Sequence, residues 1–339
     1  MQTSVPLGFE ECVELSNCDR EPIHLPGSIQ PHGVLLAMTE SDLVVVQASA
    51  NTGRILGIER DAIVGVALSK LLESPVPNDF SRLAGRPLFH PQDATAVTLG
   101  ERTFDGIVHR SGGLLILELE PAQLADESGR RSQDLYALIR DSMARVEQAQ
   151  RLADMWPILA ATIRDISGFD RVMIYCFNEQ DGSGEVIAEQ VSPDLEPYLG
   201  LHYPASDVPN QARRLYVQNH LRLICDAAYE PTPIIPAENP LTGARLDLSG
   251  AVLRSVSPIH CRYLANMGVR ASMSVSLIKD ERLWGLIACH HRAPRFVPYR
   301  NRMVCGLLGD FVSWSLRPRL EFEASDARLR ASTCQSQLV

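Results

Sequence analysis

Ser272-Met273-Ser274-Val275-Ser276-Leu277 alternates hydroxyl and apolar side chains, and Leu283-Trp284-Gly285-Leu286-Ile287-Ala288-Cys289-His290 follows after a short polar break. Period-two alternation marks a strand with two unlike faces, so the runs read as strands over 272–278 and 283–290. Met273, Val275 and Leu277 then share one face, and Ser272, Ser274 and Ser276 the other. A water-facing strand surface more often carries Lys, Glu or Thr. Small hydroxyls in register suit a surface that lies close to a ligand and offers it hydrogen bonds. A plain solvated face gives the same alternation. On the second strand, parity sets His290 on the side of Trp284 and Leu286.

Further strands are expected at 172–177 and 185–189, and helical spacing relates Leu135, Leu138, Ile139, Met143 and Val146. A second helix is expected from near Asp154, with Pro157 in its first turn. Upstream, the stretch 126–134 (Asp-Glu-Ser-Gly-Arg-Arg-Ser-Gln-Asp) holds turn formers and charge without an apolar period, and reads as a linker. Before it, strand-like runs at 43–46 and 114–119 between helical or turn-rich pieces describe a small α+β domain of roughly 100–125 residues. The chain closes on a helical pattern through Met303, Val304, Leu307, Leu308, Phe311, Val312 and Trp314, which turns charged over 317–330. Its apolar surface is wider than one core-facing stripe needs, and suits either a core helix or a dimer seam.

Length agrees with two domains, since 339 residues divide at ~150 per domain. Lys+Arg 32 against Asp+Glu 41 leaves a net charge of −9, without the basic stripe that nucleic-acid binding needs. No apolar run approaches the ~18–20 residues of a membrane span, and the N-terminus lacks the basic and apolar regions of a signal peptide. The eight cysteines (Cys12, Cys18, Cys176, Cys225, Cys261, Cys289, Cys305 and Cys334) are scattered without a CxxC pair, as expected of reduced thiols in a cytoplasmic protein. His260-Cys261 and Cys289-His290-His291 come nearest to a metal site, but sequence neighbours converge poorly, so no metal is expected.

Arg222 and Arg254 each sit in a strand-like apolar run (Leu221-Arg222-Leu223-Ile224 and Val252-Leu253-Arg254-Ser255-Val256). Buried guanidiniums need an anionic partner, either internal or a bound dianion such as a dicarboxylate. Between them, 225–250 carries four prolines and little periodicity, longer than ordinary loops. Tyr203-Pro204-Ala205-Ser206-Asp207-Val208-Pro209 is a stiff loop opening a helix over 210–216. There, Ser206 or Asp207 caps the helix or is aimed at a ligand. His260 follows a strand in an irregular stretch, where binding residues are common. No hydrolytic triad, P-loop or GxGxxG accompanies it. The run from Cys18 to Gly33 holds three prolines and two glycines, a rigid extended segment able to carry a cysteine to another domain.

Taken in order, Cys18-x-x-Glu21-Pro22-Ile23-His24-x-Pro26-Gly27-x-Ile29-Gln30-Pro31-His32-Gly33, Pro204-Ala205-Ser206-Asp207-Val208-Pro209, Leu253-Arg254-Ser255-Val256-Ser257-Pro258-Ile259-His260 and Trp284-Gly285-Leu286-Ile287-Ala288-Cys289-His290-His291 resemble a bacterial phytochrome from about residue 15 to 317. The resemblance implies an α+β fold of PAS then GAF domain, each an antiparallel sheet flanked by helices. An N-terminal segment would be threaded through a GAF loop in a figure-of-eight knot near Ile29, and a long C-terminal helix would follow. The implied division is an extension over 1–25, PAS over 26–125, a linker over 126–134, GAF over 135–318 and the start of a connecting helix over 319–339.

The implied cofactor is biliverdin IXα, a linear tetrapyrrole joined by a thioether to Cys18, with Cys12 outside the motif. Relatives that attach their bilin to a GAF cysteine carry it where this chain has Ile259. By the same resemblance Arg222 and Arg254, with Ser257, Ser272, Ser274 and Tyr216, hold the two propionates. Asp207 and His260 bind the pyrrole nitrogens, His290 bonds the D-ring carbonyl, and Tyr175, Tyr203, Tyr263, Met173 and Met267 surround that ring.

The implied function is red/far-red light sensing by Z/E isomerisation at the D ring, controlling a histidine kinase and its response regulator. The expected partners are a second copy through helices including 301–317 and a downstream PHY domain. No nucleic acid or membrane is expected. The expected chain is a chromophore-binding fragment with no enzymatic activity beyond attaching its own bilin. Such a fragment, without the PHY domain, should photoconvert incompletely and fluoresce more. The other readings are a GAF-type sensor of another small ligand and a PAS–GAF dimerisation module.

Overall fold

The computed structural model describes residues 21–72, 94–122 and 129–337. In chain order the elements are β1 (Ser28–Ile29), β2 (Val34–Thr39), β3 (Val45–Ser49), α1 (Thr52–Leu56), α2 (Leu68–Leu71), β4 (Ala94–Leu99), β5 (Arg102–Ser111), β6 (Leu114–Pro121), α3 (Gly129–Gln148), α4 (Leu152–Ser167), β7 (Arg171–Phe177) and β8 (Gly184–Val191). There follow β9 (His202–Tyr203), α5 (Asn210–Gln218), β10 (Leu221–Ile224), β11 (Thr232–Ile235), α6 (Pro258–Asn266), β12 (Ala271–Lys279), β13 (Arg282–His291) and α7 (Tyr299–Gln337).

Two antiparallel sheets result, in the orders β1-β11-β3-β2-β6-β5-β4 and β10-β12-β13-β7-β8-β9. The first is buried on both faces. Leu115, Leu117 and Leu119 of β6 join Val34, Leu36, Met38 and Phe104 in a core closed by Leu56 and Leu68 of α1 and α2. Leu114 and Ile116 join Leu35, Ala37 and Ile29 in another, closed by Ile234, Leu246, Leu248 and Leu253 from the second half of the chain. Double burial explains why β2 and β6 read as nearly continuous apolar runs.

The proline-rich 225–250 stretch is therefore not an open loop. It contributes β11, which pairs with β1 on one side and β3 on the other. Ile29 lies opposite Thr232 on one edge and Arg254 on the other, and Gln30 N donates to Leu253 O at 2.7 Å. Residues 28–30 are thus clasped between the two arms of the 225–256 segment, the crossing expected near Ile29.

One face of the second sheet packs on α4 and α7 through Met273, Val275, Leu277, Ile287, Trp156, Leu159, Ile163, Leu308 and Val312. Three expectations shift. Helix α3 starts at Gly129, inside the stretch read as linker: that stretch lacks an apolar period, but Arg and Gln are good helix formers. Helix α4 starts at Leu152, two residues before Asp154, where Glu323 of α7 accepts from Leu152 N at 2.7 Å, so Pro157 falls in the second turn. Helix α7 runs on through the charged 317–330 part, with i,i+4 pairs Arg317–Glu321 and Asp326–Arg330 on its surface.

Trp284 is a correction. Parity placed it beside His290, but the β12–β13 register shifts at Leu277/Ile278. The bulge turns Trp284 to the helix side, where it stacks on Trp156 at 5.3 Å between ring centroids.

Candidate ligand-binding site

The other face of the second sheet carries the candidate residues. Pairing sets Arg222 opposite Ser274, Ser272 opposite His290, Met173 opposite Ala288 and Tyr175 opposite Leu286. Opposed residues of an antiparallel pair project to the same side, so this face bears two serines, an arginine, a histidine and an apolar patch. The serine row is not a solvated surface. Ser276 is buried and donates to Tyr216 O at 2.7 Å, and Ser274 accepts from Arg222 Nη2 at 3.1 Å.

The Arg222 guanidinium lies over the Tyr216 ring, 3.5 Å from its centroid, and also donates to Asn219 O. Burial, opposed by Tyr216 and assisted by the charge of Arg254, pulls its pKa down to about 10. Arg254 is lowered too, chiefly by burial, and its Nη1 donates to Ile23 O at 2.7 Å. Both stay cationic at neutral pH. The Nε of each guanidinium is buried without a hydrogen-bond partner, as is Nδ1 of His290. Two neighbouring cations with unmet donors fit a dianion, and among the described residues neither forms the internal salt bridge that the sequence left open.

Around them the linings fall into two groups. Met173, Tyr175, Phe177 and Leu286 pack with Tyr203 and Tyr216, while Tyr263 and Met267 pack with Ile224, Leu264 and Val269. Asp207 bridges the two: its carboxylate accepts from Tyr263 OH at 3.0 Å, and its charge helps raise the phenols of Tyr175 and Tyr203, which burial raises most. Neither Ser206 nor Asp207 caps α5, whose N-cap is Pro209 without a side-chain bond. Arg213 instead fastens the loop, donating to Val208 O at 2.7 Å and Gly182 O at 2.5 Å. Gly184 gives Tyr175 room, since a Cβ there would lie 2.0 Å from the ring.

His260 stacks on Tyr263 at 6.1 Å between centroids. Burial drives His260 down to about 4 and His290 to about 3, so both rings are neutral at pH 7. Neutral imidazoles offer one donor and one acceptor each, as pyrrole and carbonyl groups require.

The N-terminal run reaches the same place. Glu21 accepts from Ser257 Oγ at 2.6 Å, and that hydroxyl also caps α6 by accepting from Ile259 N. Ile29 packs into the clasp core rather than with the two lining groups. Cys18 and Cys12 lie outside the described residues. Among the described residues no cluster of His, Cys, Asp or Glu could hold a metal ion, and no helix is long and apolar enough to cross a membrane.

Sequence reasoning missed the buried acids. Glu118 accepts from Val252 N and Leu253 N at 3.0 and 2.7 Å, while Glu120 pairs with Arg302 of α7. Burial outweighs the two N–H bonds and raises Glu118 to about 8. Arg171–Glu189, a second buried pair, lies at the His290 end of the sheet. The signal was present in Leu117-Glu118-Leu119-Glu120: acids inside an apolar strand, like the arginines that were singled out.

A PAS-fold model matches residues 18–122 and a GAF-domain model residues 151–316. The chain is 46% identical over 331 residues to cyanobacterial phytochrome B of Nostoc sp., covering 96% of this chain and 44% of that protein. It is 43% identical over 324 residues to the bacteriophytochrome of Pseudomonas aeruginosa, covering 95% and 43%. The chain thus spans under half the length of these curated relatives. A point mutant of the chromophore-binding domain of Stigmatella aurantiaca bacteriophytochrome, in the Pr state, superposes with a TM-score of 0.82 at 43% identity, over 89% of this chain and 99% of that one. The chain belongs to the phytochrome family, and its PAS and GAF domains are similar to those of bacteriophytochromes.

Proposed function

We propose that this phytochrome chain is the light-sensing module of a red/far-red photoreceptor, binding biliverdin IXα through a thioether at Cys18. The observation that carries the proposal is the Arg222–Arg254 pair, whose buried, unpartnered Nε atoms call for a molecule bearing two anionic groups. Biliverdin supplies two propionates and a conjugated system whose D-ring double bond isomerises on absorbing red light.

In this reading Arg222 and Arg254, with Ser274, Ser272, Ser257 and Tyr216, hold the propionates. Glu21, three residues after Cys18 in the sequence, is fixed on Ser257 at the start of α6. The Asp207 loop and His260 hold the pyrrole N–H groups, and His290 the D-ring carbonyl. Met173, Tyr175 and Tyr203 line one flank and Tyr263 and Met267 the other. The Tyr263–Asp207 bond is a contact that a rotating ring would exchange. Helix α7 carries the change outward, since its inner face packs on this same sheet. Its outer face exposes Leu307, Trp314, Phe322 and Leu329, the seam for a second copy. Downstream PHY and histidine-kinase domains and a response regulator complete the pathway, in the cytoplasm.

Mixing the purified protein with biliverdin tests the reading. A red absorption band that survives denaturation is expected, and Cys18→Ser should leave no pigment on the denatured chain. Absence of a red band overturns the proposal, while covalent pigment in Cys18→Ser moves the attachment to another cysteine.

A further inference from the structure

We infer that Glu118, a PAS residue, is a positioning residue for bilin uptake: it holds the strand that presents Arg254 to the propionates. The inference rests on the propionate role proposed for Arg254.

Glu118 is wholly buried on the outer face of β6, and its two carboxylate oxygens accept from the consecutive backbone N–H groups of Val252 and Leu253. An extended strand points consecutive N–H groups to opposite sides, so a fork of this kind occurs only where the backbone is turned. It therefore fixes the direction in which the chain leaves Leu253. The next residue is Arg254.

Other PAS-side contacts hold the same point. Leu253 O accepts from Gln30 N at 2.7 Å, so both backbone polar groups of Leu253 are met from outside its own segment. Its side chain is fully buried over Gly33, where a Cβ would lie 2.7 Å from Leu253 Cδ1 and 2.8 Å from Leu119 O. Gly33 is thus a seat that any larger residue fills. Arg254 lies one residue beyond this anchor, and Ile29 faces it across a bridge. On the other arm, Gln30 Nε2 donates to Leu223 O at 2.8 Å, next to Arg222. Both arginines are therefore aimed by neighbours tied to the PAS side, and the pocket on the second sheet depends on the first domain.

The test follows the initial rate of red-band growth with sub-saturating biliverdin and with biliverdin dimethyl ester, which lacks the propionate charges. Glu118→Ala is expected to slow biliverdin uptake about 10-fold, the scale of one weakened charge-assisted contact. It should leave ester uptake unchanged, and Glu118→Ala/Arg254→Ala should be no slower than Arg254→Ala. Glu118→Asp, which keeps both acceptor oxygens, should recover part of the rate. If Glu118→Ala does not fold, Glu118→Gln, with one acceptor oxygen, carries the same comparison. Equal slowing with both pigments, or additive effects with Arg254→Ala, overturns the inference as a general loss of structure. If Arg254→Ala keeps the wild-type preference for biliverdin over its ester, the propionate reading itself fails and takes this inference with it.

Discussion

Each sheet buries charge on the face turned away from its own helices, and the two do so in opposite ways. On the first sheet the buried groups are acids held by the chain itself: Glu118 by two backbone N–H groups, and Glu120 by Arg302 at Oε2, with His32 Nε2 3.5 Å from Oε1. Beside the second sheet, next to the paired Arg171–Glu189, two bases are left with unmet donors: Arg222 of β10, and Arg254, which bridges to Ile29. A buried charge is costly in either place unless it is paired and hydrogen-bonded. The paired groups belong to the architecture, whereas two neighbouring guanidiniums with unmet donors fit a molecule that brings two anionic groups.

The contrast breaks first at Glu120. Removing one partner of a buried pair strands the other, so Arg302→Ala or Glu120→Ala should cost about 3–5 kcal/mol in urea unfolding of the pigment-free protein. A loss below about 1 kcal/mol would mean that the pair is not structural.

Arg222→Met should do the reverse. Relief of its repulsion with Arg254 offsets two lost hydrogen bonds, so pigment-free stability should change by under about 1 kcal/mol. Biliverdin uptake should fall about 10–100-fold, the equivalent of a charge-assisted contact worth ~1.5–3 kcal/mol. Loss of stability with normal uptake would return Arg222 to the architecture.

Acid titration sharpens the same contrast. Burial pushes the folded pKa values of His260 and His290 down to about 4 and about 3, from the ordinary 6.5 of imidazole. Their contribution to stability is present above pH 6.5 and is lost as pH falls through those folded values. Thermal melts of the pigment-free protein from pH 7 to pH 4 should show the midpoint falling, and His260→Gln and His290→Gln should each flatten the slope. A slope unchanged in both variants would mean that these rings do not carry the acid sensitivity.

The smallest effect on the fold is expected at Trp314, which is 78% exposed on the outer face of α7. Trp314→Glu should leave the melting temperature nearly unchanged and shift a dimer to monomer in sedimentation. A variant that remains dimeric would place the seam elsewhere.

Much of the site was legible because its residues break local rules. Arginines in Leu221-Arg222-Leu223 and Leu253-Arg254-Ser255 contradict their apolar surroundings, and a serine row contradicts a water-facing strand. Glu118 and Glu120 broke the same rule, yet nothing in β6 shows that their partners lie more than a hundred residues away. Trp284 was misplaced because parity holds only while the register holds, and a bulge is set by two strands together.

The sequence by itself determined the order of the two domains, the alternation of β12 and the family motifs, because period, turn chemistry and residue type are local properties. Only the tertiary structure decided that the 225–256 segment closes the first sheet, that Leu253 is seated over Gly33 beneath Glu118, and that Arg222 and Arg254 stand close to one another with unmet donors. These depend on which distant backbone groups find one another when apolar faces are buried. No window of sequence contains both partners.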